Sequence, residues 1–243
     1  MDKNAIARSF AKQAHTYTDY AYVQHDVAKQ LMEYVQQYVH APKSIVDIGT
    51  GTGTILPFIR KSYPQALLYC NDIAQEMLNT IPLDIYDVTE CICGDAEKII
   101  LPPASLYISN FTFQWFHSLY KTIAQLYTRC SVLAFTTLVQ GTFIEWGELC
   151  KMYSLEPMTY TYPSYKELVE YVSCLPYEYC CCVEQYYPMV FPNPRSFLKY
   201  IKGLGAHIPS KKVFQNYRSL YNIEESFSTR YHVAFVILVK ELI

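Results

Sequence analysis

The sequence has no Cys-x-x-Cys pair, although it holds nine cysteines, three of them consecutive at Cys180, Cys181 and Cys182. An odd count without clamp spacing argues against a disulfide scaffold and a structural metal site, and for a reducing compartment. Long apolar runs are also missing. The longest strongly apolar stretch is Ala234 to Val239, far short of the ~20 residues a membrane helix needs. The N-terminal MDKNAIARSFAKQ has no apolar core of signal-peptide length. A cytoplasmic protein without a membrane partner is expected. There is no excess of positive charge either: the formal net charge is −2, so the molecule as a whole is not a nucleic-acid binder. Acidic residues are absent from one stretch in particular. None occurs from Gln185 to Ile223, where Arg195, Lys199, Lys202, Lys211, Lys212 and Arg218 all fall. That segment suits an acidic partner.

Hydrophobic residues make up 51% of the 243 positions and charged residues 17%, which suits one globular domain with a substantial core. The 24 tyrosines read as fillers of core edges and surface, and Trp115 as core. Hydrophobic spacing predicts helices over 2–14 and 19–40, the second from Val23, Val27, Leu31, Tyr34, Val35 and Tyr38. Strands are expected at 44–48, 66–70, 88–93, 106–109 and 132–137. Helices are expected from the turn after Gly53 to about 62, at 73–79 and at 119–127. Strand alternating with helix means a parallel sheet covered on both faces. Beyond Gly141 the pattern loosens. Helices are predicted at 143–153, 164–173, 194–203 and 210–220. Two long strands, 179–190 and 231–240, should form an antiparallel pair closing one edge. The expected fold is α/β and Rossmann-like, with a mostly parallel seven-stranded sheet and an antiparallel edge strand. It is read as a single domain, 1–243. Residues 1–40 form a helical cap, 41–141 the cofactor-binding core and 142–243 the substrate-specific part.

The stretch VDIGTGTG, Val46 to Gly53, joins the first strand to the first core helix. Read from Gly49, the dinucleotide fingerprint needs its third glycine at position 54, where Thr54 stands, so that spacing fails. No Gly-Lys-Ser/Thr follows, which excludes a P-loop. Asp47, at the end of the strand, argues further against a phosphate ligand. Two like charges about 4 Å apart at an effective dielectric near 20 repel by roughly 4 kcal/mol. S-adenosylmethionine (SAM) carries an ammonium and a sulfonium and no phosphate, and an acid is compatible with it.

The pattern D-x-G-x-G-x-G resembles the glycine motif of class I SAM-dependent methyltransferases at every defined position. Asp72 in CNDIAQEML and Asp95 in Gly94-Asp95-Ala96 resemble the next two motifs of that superfamily. Further stretches narrow the resemblance: IARSFAKQAHTY, SNFTFQWF, AFTTLVQGTF and LKYIKGLGAH. Together they look like the malonyl-[acyl-carrier protein] O-methyltransferases of biotin synthesis, nearly end to end and in order. Two departures are local. PASLYISN lacks the acid common before the fourth strand, and TRCSVLAF lacks the usual proline–glycine turn.

The resemblance implies transfer of a methyl group from SAM to the free carboxylate of a malonyl thioester on acyl-carrier protein, or on coenzyme A. That acceptor is already ionised at neutral pH and needs no general base, and no metal is implied. Gly49, Gly51 and Gly53 would let the backbone approach the methionine moiety. Asp47 would orient its ammonium, Asp72 with Ile73 would take the ribose, and Asp95 with Ala96 the adenine. Asn110 would face the sulfonium. Tyr17 matches a tyrosine kept between two N-terminal helices, whose hydroxyl would meet the substrate carboxylate. Lys199 and Lys202, three apart on one helix face, would meet the acidic carrier, and His207 would line the substrate channel. Another small acid or a quinone as acceptor, a non-catalytic binding module and a nicotinamide enzyme stay open as alternatives.

Overall fold

The computed structural model describes residues 2–157, 160–206 and 217–242. Seven strands form one sheet: β1 Ser44–Ile48, β2 Leu67–Asp72, β3 Glu90–Cys93, β4 Ala104–Ser109, β5 Cys130–Leu138, β6 Tyr179–Phe191 and β7 Phe227–Val239. Their order across the sheet is β3-β2-β1-β4-β5-β7-β6. The first five run parallel. β7 pairs antiparallel with β5 and, over its whole length, with β6. β1 is flanked by β2 and β4, with Asp47 level with Cys70 on one side and Ile108 on the other. The order reverses there, and the carboxyl ends of an open parallel sheet open a crevice at such a point.

Nine helices surround the sheet among the described residues: α1 Lys3–Gln13, α2 Tyr17–Tyr20, α3 Tyr22–Val35, α4 Leu56–Ser62, α5 Gln75–Leu78, α6 Leu119–Tyr127, α7 Ile144–Met152, α8 Tyr165–Val172 and α9 Pro194–Gly203. The sheet's faces bury separate cores. On one, Val27, Leu31 and Val35 of α3 and Ile59 of α4 pack with Trp146 and Phe197 of the later helices. On the other, Ile123 and Leu126 of α6 and Leu168 of α8 pack against Phe113 and Phe135. Caps follow the local sequence. Asp2 accepts the Asn4 and Ala5 N–H groups at the start of α1, Ser164 and Glu167 form a capping box at α8, and Asn193 caps α9 ahead of Pro194.

Three expectations need correction. The helix predicted over 19–40 is two helices that meet at Ala21, whose backbone (φ −86°, ψ 30°) is not helical. It also stops at Val35, because Val39 turns inward and its carbonyl accepts the Tyr63 hydroxyl at 2.8 Å. β7 begins at Phe227, before the predicted Tyr231. There it has left β5 and lies beside β6 alone, and burial alternates through Phe227, Ser228, Thr229 and Arg230. A half-buried segment of that kind lacks the continuous apolar run that marked the rest. Of the helix predicted at 210–220, residues 210–216 lie outside the described residues, and Tyr217–Asn222 is a 3₁₀ turn.

Candidate active site

The loop after β1 is held open by two backbone choices. Gly49 has φ +68°, and a Cβ there would lie 2.1 Å from the Thr112 hydroxyl oxygen. Gly51 has φ +56°, and a Cβ there would meet nothing within 4 Å. The first glycine is required by the protein's own packing; the second turns bare backbone toward space. Gly53 is not in the cleft wall and packs against Leu56 at the start of α4. The loop is tied to β2 by the Thr50 N–H, which donates to the Asn71 carbonyl at 2.8 Å.

A cleft of about 850 Å³ opens at these strand ends. Asp47, Gly49, Gly51, Asp72, Ile73, Asp95, Ala96 and Asn110 line it, as does Tyr17. Asp47 is 1% exposed. One of its oxygens accepts the Thr50 hydroxyl, while Oδ1 has no partner among the described residues. Burial, only partly countered by the Thr50 bond, pushes its pKa up to about 7. Asp72 accepts the Gly51 N–H at 2.9 Å and the Ala74 N–H at 2.8 Å. Burial outweighs both bonds and raises it to about 6. Asp95 holds the Lys3 ammonium at 3.3 Å on Oδ1, and its buried Oδ2 has no hydrogen-bond partner among the described residues.

The two ends of the Asn110 amide are already engaged. Its nitrogen donates to the Gln24 carbonyl at 2.9 Å, and its oxygen accepts the Thr136 hydroxyl at 2.8 Å. The next residue, Phe111, sits at φ +55° with its N–H on Thr136. A bulky side chain in that region is strained, and such outliers concentrate at working sites.

A second chamber of about 720 Å³ adjoins the first. Phe10, Tyr17, Gln24, Phe111 and Trp115 belong to both walls and form a waist. Beyond it the lining is apolar and aromatic, with Phe143, Trp146, Tyr160, Tyr162, Phe197 and Tyr231 among its walls. Trp115 is therefore a cavity wall and not core: Phe10 meets it edge-on at 5.5 Å and Tyr160 at 5.1 Å. α9 closes the chamber. Leu198 and Ile201 line it, while Arg195, Lys199 and Lys202 are exposed on the outer face. Lys199 and Lys202 touch neither cavity wall. His207, Lys211 and Lys212 lie outside the described residues.

The roof over the cleft escaped the sequence reading. Lys3 bridges Asp95 at 3.3 Å and Glu97 at 2.7 Å and lies 5.0 Å over the Phe116 ring. Burial opposes the charge on Glu97, but the N–H groups of His117 and Ser118 together with Lys3 bring its pKa down to about 2. Gln24 was missed as well, although its signal was present: it is a polar residue on the buried face of α3, beside Val23 and Val27.

Residues 46–131 match the methyltransferase domain family. That segment holds the glycine loop and all three acids of the cleft. The chain is a class I SAM-dependent methyltransferase. Relatives over its length are the malonyl-[acyl-carrier protein] O-methyltransferases of Neorickettsia risticii, 25% identical over 97% of this chain and 96% of that one, and of Anoxybacillus flavithermus, 27% identical over 97% of each. The Priestia megaterium protein of the same name is 34% identical over 60% of this chain and 55% of its own. Among solved structures, the methyltransferase resembles the YcgJ protein of a Bacillus species (TM-score 0.60, 12% identity, covering 89% of this chain and 99% of that one). It also resembles the plantazolicin methyltransferase BpumL in complex with S-adenosylhomocysteine (TM-score 0.55, 18% identity, covering 98% and 95%). Both share its fold. S-adenosylmethionine is the cofactor of this methyltransferase. Among the described residues no helix is long and apolar enough to cross a membrane.

Proposed function

We propose that this methyltransferase esterifies the free carboxylate of a malonyl thioester borne on an acyl-carrier protein, giving the malonyl methyl ester that primes biotin synthesis. The observation that carries the reading is the pairing of two cavities. One is lined by acids and bare backbone, and the other is aromatic, with a waist between them. The names of the full-length relatives supply the acceptor.

The residues of the cleft fit the donor. Asp47 Oδ1 is a buried acceptor without a partner and would take the ammonium. Gly49 and Gly51 would border the methionine moiety, with Gly53 holding the loop against α4. Asp72 and Ile73 would border the ribose, and Asp95, whose Oδ2 has no hydrogen-bond partner among the described residues and lies 3.9 Å from the Lys98 ammonium, would with Ala96 hold the adenine. Asn110 would contribute through its main chain, since its amide is spent on Gln24 and Thr136. When bound, SAM supplies a methyl group already activated by the positive sulfur. The chain's own part is to align the acceptor, hold it near the waist and exclude water, which is worth up to roughly 7–11 kcal/mol in the best cases. Burial, with Asp72 adding to it, raises the Tyr17 phenol. It therefore stays a neutral donor, able to hydrogen-bond the acceptor carboxylate.

In this reading residues 1–40 are the cap, 41–141 the donor core and 142–243 the acceptor walls. Lys199 and Lys202 meet the acidic carrier outside while its thioester arm enters beside Leu198 and Ile201. The free thiols of the nine cysteines suit the cytoplasm. The test is incubation with SAM and malonyl-acyl-carrier protein, with malonyl-coenzyme A and free dicarboxylic acids beside it, scored by mass spectrometry. A gain of one methyl ester on the carrier-bound malonyl group supports the reading. Transfer only to a free acid or a quinone overturns it.

A further inference from the structure

Gln24 is 6% exposed, lies on α3 and belongs to the walls of both cavities. Its Oε1 is buried and has no hydrogen-bond partner among the described residues. A buried carbonyl left without a partner is unfavourable, so its position at the waist calls for a function. The Gln24 side chain faces the Tyr231 hydroxyl, and both residues line the second chamber. Tyr231 in turn meets the Tyr200 hydroxyl at 3.3 Å. Both phenols are buried, and burial raises their pKa values, so the chain of three is neutral.

A hydroxyl gives or accepts a hydrogen bond with equal ease, and this lets the Gln24 amide turn. With Tyr200 donating to Tyr231 and Tyr231 donating to Gln24 Oε1, the amide nitrogen faces the waist with its N–H bonds free. Gln114, the other glutamine of the chamber, has no such freedom. Its Nε2 donates to the Phe111 carbonyl at 2.7 Å, and a carbonyl only accepts, so its partnerless Oε1 stays an acceptor. An acceptor repels a carboxylate; an N–H donor holds one.

We propose that Gln24, turned and backed by Tyr231 and Tyr200, is the residue that receives the acceptor's carboxylate at the waist, with the Tyr17 hydroxyl as second donor. The site thereby selects an anionic carboxylate through neutral donors and keeps a cationic side chain away from the positive sulfur of the donor. This inference rests on the proposed acceptor and names the residue that recognises it.

The test compares Gln24→Glu, Gln24→Leu and Tyr231→Phe with the parent enzyme on malonyl-acyl-carrier protein at saturating SAM. Binding of S-adenosylhomocysteine by calorimetry serves as the check on folding. Gln24→Glu keeps the shape and adds a negative charge. Its kcat/KM should fall by at least about 50-fold above neutral pH, mostly through KM. As pH falls and the new carboxyl takes up a proton it becomes a donor again, so activity should recover toward the parent's. Gln24→Leu should lose about 10-fold or more at every pH, and Tyr231→Phe about 5-fold. S-adenosylhomocysteine affinity should stay within a few-fold in all three. If the parent methylates the malonyl thioester and Gln24→Glu and Gln24→Leu match it within twofold from acid to neutral pH, the inference is wrong and the acceptor stands. Equal losses of cofactor binding and turnover in all three would mean that Gln24 only supports the fold, which also overturns it. A parent inactive on every malonyl thioester removes the proposed acceptor, and this inference with it.

Discussion

Asp47 and Asp72 make the proposed donor site sensitive to protons. Burial raises the first to about 7 and the second to about 6, from an ordinary value of 3.8. For each, the folded protein without ligand prefers the neutral carboxyl. That contribution to stability is complete below 3.8 and is lost as pH rises through the folded value. A cationic ligand reverses the preference, because it binds the ionised form. SAM affinity should therefore rise as pH passes from below 6 to above 7, levelling off before the ligand's own amine loses its proton near pH ~8. Calorimetric titration across that window checks it. Asp47→Asn should make the ligand-free protein more stable above pH 7 and weaken SAM, seen as a higher melting temperature with a smaller ligand-induced shift. Asp72→Ala removes the acceptor of the Gly51 and Ala74 N–H groups and should weaken SAM at least about tenfold. Unchanged affinity would reject the ribose assignment. Tyr17→Phe should lower turnover about 5- to 10-fold with little change in SAM affinity, the loss of one hydrogen bond to a charged group. Parental turnover would show that only the ring matters.

The short N-terminal helices act through their seats on other elements. α1 is pinned by Lys3 to Asp95 and Glu97, and the Ser9 hydroxyl donates to the Gly205 carbonyl at 2.8 Å. α2 rests on α9, where a Cβ at Gly203 would come within 2.5 Å of the Tyr20 ring. The lid over the donor cleft and the wall of the acceptor chamber are thus one packed unit. Gly203→Ala should force Tyr20 and α2 aside, destabilising the fold by about 1–3 kcal/mol. It should raise KM for both substrates together, as urea unfolding and steady-state kinetics would show. A loss confined to the acceptor would mean that α2 and α9 move independently.

Across the molecule, charge is divided between interior and outside. The donor cleft gathers carboxylates, while the outer face of α9 carries Arg195, Lys199 and Lys202, with Arg195 5.4 Å over the Tyr221 ring. Attraction between exposed charges is screened over ~8 Å at physiological salt. KM for malonyl-acyl-carrier protein should rise with salt, and Lys199→Glu with Lys202→Glu should raise it about tenfold or more. KM for malonyl-coenzyme A should respond far less to the double substitution. A carrier-bound KM indifferent to salt would remove this face from the encounter.

The strand–helix alternation, the glycine loop and the three acids at the carboxyl ends of β1, β2 and β3 are legible in the chain, because a parallel sheet places them locally. A buried strand must be an apolar run, a tight turn out of it needs glycine, and side chains just past parallel strand ends converge on one edge. The antiparallel pair β6–β7 was legible from the length of its two strands. The break at Ala21, the early start of β7 and the roof made by Lys3 were not, since each depends on a partner far along the chain: Tyr200, whose ring meets those of Tyr20 at 6.5 Å and Tyr22 at 5.4 Å, β6 and Asp95. The second, aromatic chamber was least visible. Phe10, Gln24, Trp115, Tyr162 and Tyr231 are spread over more than two hundred positions, and 24 tyrosines give no local sign of which ones face a cavity. Local patterning determines secondary structure and the loops attached to it. Which side chains share a void is decided only when distant elements pack, because a cavity is a property of the gaps between them.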